Sequence, residues 1–359
     1  MKELSPLRLG LMFAGCFLGA GYVSGQELWQ FFGSFGRQGI FGLFLTMLLL
    51  FFFGVATLWL AHQLQTGEAD RVMLPWDIPF LRWCADFLQL GMLFAVVSVM
   101  YAGVGALLEQ LFSFPHVWGS LLFGILVLSY ALSGLKGLVT AFSFSVPLLI
   151  LATLCFGIRA CTVGDLNALT LPVSHTQNVL LGSWLFSALN FACYNLLGTV
   201  AILSPFGRYI SRSRVLYLGV GLGTLALLLI AASVLLCLRV WPQTVTQALP
   251  MLEAAKTLGP FAAYAYALLL FAGMFGTALS SFVGIIQFFL EKFSWNKKRE
   301  RRFALGLAVL AFLASLFGFG DLISVLYPLF GYGSMLFLLL LAFHFFQQKR
   351  KNRIFSQQK

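Results

Sequence analysis

The sequence predicts an all-α polytopic membrane protein of ten transmembrane helices. Three observations carry this prediction. Of 359 residues, 60% are hydrophobic and only 10% charged, whereas a soluble domain is roughly 45–50% apolar and roughly 25% charged. So few charges cannot cover a water-facing surface, which argues strongly against a soluble enzyme. The mean hydropathy is +0.91, far from the low-hydrophobicity, high-charge composition of disordered chains. The apolar residues also fall in runs long enough to cross a bilayer, which takes about 20 helical residues.

In chain order the runs read as helices at 7–32, 38–63, 79–112, 117–133, 136–160, 178–204, 214–241, 257–292, 303–318 and 321–347. The first could mimic a signal peptide. It lacks a small-residue cleavage site and continues to Phe32, so it reads as a retained helix. The third and eighth exceed 30 residues, which implies strong tilt or extension past the bilayer. The chain forms one transmembrane domain, with half-repeats at 7–160 and 178–347 and a basic tail at 348–359.

Orientation follows from the basic residues. Nineteen of the 23 Lys and Arg collect on one side, and only Arg37, Arg159, Arg239 and Lys256 fall on the other. By the positive-inside bias both termini are cytoplasmic and the number of spans is even. The net charge of +11 is therefore a topology signal and an anchor to anionic lipid, not a nucleic-acid footprint. Lys136 reads as one such anchor at the start of the fifth helix. The six cysteines are scattered, with no metal-type spacing. No nucleophile motif, phosphate loop or zinc spacing occurs, so no enzyme activity and no cofactor are expected.

The first and sixth helices share an unusual feature. AGCFLGAGYVSGQE (Ala14–Glu27) contains Gly15, Gly19, Gly21 and Gly25, and SALNFACYNLLG (Ser187–Gly198) contains Asn190, Tyr194 and Asn195. Each patch lies about a dozen residues into its span, near the bilayer midplane. Five spans separate them, so the halves are inverted. Paired interrupted helices in inverted halves point to a transporter's binding site. Each glycine raises the cost of helix by about 1 kcal/mol, and backbone freed at the midplane must find partners in the protein or a wet cavity. Ser24-Gly25-Gln26-Glu27 then reads as a capping box restarting the helix. The plain alternative is close helix packing at small residues.

GAGYVSGQELWQFF (Gly19–Phe32) resembles the opening signature of the bacterial YkvI-type membrane proteins, and the segment ending Tyr194-Asn195 resembles that group's second signature. The ten-helix inverted plan resembles the LeuT-like amino acid–polyamine–organocation superfamily. The resemblance implies a LeuT-like 5+5 inverted repeat with broken helices 1 and 6, and secondary transport. It also implies that the carbonyls of Gly15 and Leu18 face a sodium ion, and that the amides of Gly19, Ala20 and Gly21 face a substrate carboxylate. In the eighth helix it implies that Thr277, Ser280 and Ser281 complete the sodium ligands as one carbonyl and two hydroxyls. Tyr22 stands where sodium symporters often carry an asparagine after the break, so no second sodium site is expected. Tyr101 lies where relatives present a hydroxyl to substrate; an ordinary packed aromatic is the alternative.

Glu27 is the one carboxylate deep in a span. It is either a cap for Ser24 or a proton-coupling or amine-binding group. Asn190 and Asn195 are costly in lipid and must face protein or water. The leading expectation is a sodium-coupled symporter for a small polar organic solute such as an amino acid or amine. A proton-coupled transporter using Glu27, or a small-molecule receptor on a transporter-like scaffold, remains open.

Overall fold

A computed structural model describes residues 5–133, 145–164, 178–210, 213–293 and 296–357. The start of the span expected at 136–160, including Lys136, lies outside them. Among the described residues the regular structure is helical, without strands.

The first span is broken into α1 (Pro6–Phe17), α2 (Ala20–Ser24) and α3 (Gln26–Phe31). Proline opens α1, where a missing amide is harmless, and the Ser5 hydroxyl accepts from the Arg8 amide at 3.3 Å. Then come α4 (Arg37–Leu64), a short α5 (Ala69–Met73), α6 (Pro79–Phe112), α7 (His116–Ser133) and α8 (Ser145–Val163). The second half contains α9 (Trp184–Leu203), α10 (Ser213–Val240), α11 (Pro250–Lys256), α12 (Pro260–Phe293), α13 (Lys297–Ser315) and α14 (Phe319–Gln357).

Seven helices (α4, α6, α7, α9, α10, α12 and α14) are long and apolar enough to cross a membrane. The other expected spans fall short of that measure for local reasons. The first is split by its break, the described part of the fifth is short, and α13 opens on the charged run Lys297–Arg302. Two boundaries differ from the sequence reading. Gly259 takes φ +110°, which makes a turn between α11 and α12, so the eighth span begins at Pro260. The basic tail continues α14 as helix to Gln357.

The halves interlock rather than stand side by side. α1 packs on α10, α6 on α12, and α9 on both α4 and α14. This arrangement encloses the broken helix, and Leu9, Phe13, Phe17, Tyr22 and Phe31 are all buried.

The sixth span departs from its expectation. It was read as broken, but α9 runs without interruption from Trp184 to Leu203. Its polar residues bond backbone carbonyls of neighbouring helices. The Ser187 hydroxyl donates to the Phe31 carbonyl at 2.6 Å, capping the end of α3. The Asn190 amide donates to the Pro328 carbonyl at 2.8 Å. Pro328 lies inside α14 and has no N–H for the Ser324 carbonyl four residues back. Asn178 donates to that carbonyl instead, at 2.8 Å. Ser187→Ala would strand a buried carbonyl, and a loss of about 1–3 kcal/mol is expected as a lower melting temperature of the purified protein with unchanged helix content.

Candidate functional site

The break is built from specific backbone choices. The Gly19 amide bonds the Phe17 carbonyl at 2.8 Å, and the Tyr22 and Val23 amides both turn to the Gly19 carbonyl, at 3.1 and 3.3 Å. The carbonyls of Gly15 and Leu18 therefore lose the amides that a continuous helix would give them. After α2, Gly25 takes φ +88°, a conformation that side-chain-bearing residues rarely adopt. The Ser24 hydroxyl accepts from the Gln26 amide at 3.4 Å and donates to the Gly21 carbonyl at 3.1 Å.

Glu27 does not close the expected capping box. It lies on the first turn of α3 and is 4% exposed. The Tyr194 hydroxyl of α9 donates to its Oε1. Its Oε2 folds back against Gly21, where an added Cβ would come within 2.5 Å of it. The carboxylate thus bridges the break to the facing helix.

Below Glu27 lies a cavity of about 240 Å³. Its wall takes Gly15, Cys16, Phe17 and Gly19 from the first span, and Gln89, Met92 and Met100 from α6. α9 contributes Tyr194, Asn195, Gly198, Thr199 and Ile202; α12 contributes Thr277, Ser280 and Ser281; α14 contributes Tyr327. Among the described lining residues Glu27 is the one acid, and none is basic. Exposure grades along the cavity: Glu27, Tyr194 and Tyr327 are buried, while Gly15, Ile202 and Ser280 are exposed. The mouth therefore faces the end of the bundle where α1 begins. On the other side of Glu27 the path is filled by aromatic rings. Phe191 meets Phe31 at 5.3 Å and Phe32 at 4.9 Å between ring centroids, and Phe31 meets Tyr194 at 5.5 Å.

The structure gathers Gly15, Gly19, Glu27, Tyr194, Asn195, Thr277, Ser280 and Ser281 around this one cavity. Leu18 is buried behind the wall, and Ala20 and Gly21 sit in α2 with Gly21 covered by Glu27. Tyr101 and Asn190 lie outside the wall. The Tyr101 ring packs edge-on to Phe123 at 5.7 Å and against Gly124, so its hydroxyl is held between α6 and α7. Asn190 is committed to the Pro328 carbonyl and packs against Gly331.

Sequence reasoning passed over Tyr327, whose ring lies 4.9 Å from that of Tyr194, and the α6 residues Gln89, Met92 and Met100. A mid-span aromatic beside Pro328 was the one available signal for Tyr327.

No protein-family model matches the chain. The uncharacterized membrane protein YkvI of Bacillus subtilis is 26% identical over 93% of this chain and 94% of its own length. The uncharacterized protein YyaD of the same organism is also 26% identical, over 93% and 95%. MhsT, solved in complex with L-phenylalanine, superposes with a TM-score of 0.64 at 19% identity, covering 95% of this chain and 89% of its own. The chain is similar to the YkvI-type membrane proteins and has a LeuT-like fold. The manganese transporter of Eremococcus coleocola, solved with an aromatic bis-isothiourea compound, matches at a TM-score of 0.51 and 15% identity, over 93% and 76%.

Proposed function

We propose that this protein is a secondary active transporter of a small polar organic solute, an amino acid or an amine, working by alternating access. One observation carries the reading: a small cavity at a helix break, open to one end of the bundle and stoppered by aromatic rings towards the other. A channel would need a continuous path, and a receptor would need no second exit. At about 240 Å³ the cavity is below the roughly 300–1,000 Å³ of sites for drug-sized ligands, in keeping with a small solute. The charge bias of the sequence supports a cytoplasmic open end in a bacterial cell, which makes this state inward-facing. Outward opening requires Phe31 and Phe32 to part from Phe191.

The coupling ion in this reading is sodium. The freed carbonyls of Gly15 and Leu18 and the oxygens of Thr277, Ser280 and Ser281 are a hard, neutral donor set of the kind that suits such a cation. A second reading is favoured by Glu27: a buried carboxylate at the cavity's inner end could carry a proton instead. Tyr22, Tyr194 and Tyr327 surround it, and no basic side chain lines the cavity among the described residues.

Cys16 supplies the test, because it lines the cavity and is half-buried. With the other cysteines replaced by serine, an impermeant thiol reagent is expected to modify Cys16 readily from the side of the termini and poorly from the opposite side. Phe191→Ala should raise the slow rate. Modification at equal rates from both sides that Phe191→Ala does not change would mean an open pore and would end the transporter reading. The orientation is tested separately: tags at residue 165, outside the described residues, and at the C-terminus should report opposite sides, with the C-terminus cytoplasmic. An impermeant label that reaches both from outside contradicts it.

A further inference from the structure

The cavity's charge and geometry point to a narrower class of solute, an inference that rests on the transport reading above. We infer that the solute is an organic ammonium ion without a carboxylate, and that Glu27 is its counter-ion.

The backbone break is where a solute carboxylate would otherwise seek amides. That place is already taken by a carboxylate of the chain itself, because Glu27 Oε2 lies against Gly21. A second carboxylate there would meet the first at contact distance, and like charges so placed cannot both stay ionised. No Lys, Arg or His among the described lining residues could offset it. An ammonium group reverses the sign of every one of these contacts. The Tyr194 hydroxyl holds Glu27 Oε1 and the Asn195 side chain also bonds the carboxylate, which fixes it at the cavity wall, where its remaining lone pairs can accept from a charged donor. The Tyr194 and Tyr327 rings both line the cavity, 4.9 Å apart and inclined at 32°. Aromatic faces attract cations, more strongly when water is excluded. Asn195 and Thr199 add polar groups on the next turn of α9.

The experiment uses the purified full-length protein in lipid nanodiscs. Matched pairs are titrated at neutral pH: isoamylamine against leucine, phenethylamine against phenylalanine, and ethanolamine against serine. Binding is read by melting temperature and isothermal titration. At least one amine is expected to bind on the order of 10–100-fold more tightly than its parent amino acid. Glu27→Gln, which retains an oxygen for the Tyr194 hydroxyl, should weaken that amine by a similar factor. The preference of the unmodified protein needs no variant, so it stands even if the substitution impairs folding. Tighter binding of the amino acids, or binding of neither class, overturns the inference. So does a Glu27→Gln protein that keeps full amine affinity and loses only the pH dependence of uptake, since Glu27 would then carry a proton. Amine binding without uptake into proteoliposomes would leave the solute class intact and overturn transport.

Discussion

Gly21→Leu is expected to abolish solute binding while leaving the protein folded and in the membrane. At this position the main chain of α2 and the Glu27 carboxylate are in contact. The first atom of any side chain would fall 2.5 Å from Glu27 Oε2, 3.3 Å from its Cβ and 3.4 Å from Ile323 Cδ1. The carboxylate must swing away, which breaks its bond from Tyr194, and the larger leucine would then fill the top of the cavity. Losing a charge-assisted contact costs about 1.5–3 kcal/mol, and crowding a packed site typically adds about 1–3 kcal/mol. Together these place the affinity on the order of 100-fold or more below the parent. Gly21→Ala tests the mechanism more finely. It displaces the carboxylate without filling the cavity, so a loss of about tenfold is expected. Isothermal titration with the preferred ligand measures both. A Gly21→Leu protein that binds normally moves the site elsewhere.

The second large effect concerns the coupling ion. Replacing both Ser280 and Ser281 with alanine should weaken the sodium dependence of binding and uptake by on the order of 100-fold, since each hydroxyl-to-cation contact is worth about 1.5–3 kcal/mol. The two hydroxyls differ in setting. Ser280 is exposed at the cavity mouth and donates to the Thr277 carbonyl at 3.1 Å, whereas Ser281 is buried. On sodium binding the Ser280 proton would turn away so that its oxygen and the Thr277 carbonyl can both face the ion. Ser281→Ala alone should account for most of the loss, because the buried ligand exchanges less freely with water. Uptake that ignores sodium, follows a pH gradient and loses that response in Glu27→Gln would replace sodium with a proton.

Local features of the fold could be read from the sequence. The break in the first span is written in the closely spaced Gly15, Gly19, Gly21 and Gly25, whose causes are local: weak helix propensity and, at Gly25, a positive φ. The length of α6 and α12 is visible because apolar runs of that extent have few other structural uses. Pairings across the chain were not visible. Glu27 reads as a cap for Ser24 from its spacing alone, yet its partner is Tyr194, 167 residues away. The misreading of the sixth span has the same origin. Polar residues at mid-membrane imply unsatisfied groups, and a broken helix is one way to supply them. Here the polar residues bond carbonyls of neighbouring helices, that of Phe31 at the end of α3 and that of Pro328 in the proline-bearing α14. Asn190 and Ser187 are therefore spent on tertiary hydrogen bonds, and α9 stays whole. Tyr327 enters the site because α14 packs on α9, which no periodicity in its own segment announces.

If a gradient moves a small solute through this cavity, uptake will show it: the tightest-binding radiolabelled solute is offered to proteoliposomes containing the purified protein, with an inward sodium gradient, an inward proton gradient or neither. Concentrative uptake driven by sodium is expected, absent without a gradient, and lost in Gly21→Leu and in the Ser280/Ser281 double alanine variant. Tight binding with no uptake under either gradient would contradict it, and would leave a receptor built on a transporter's frame.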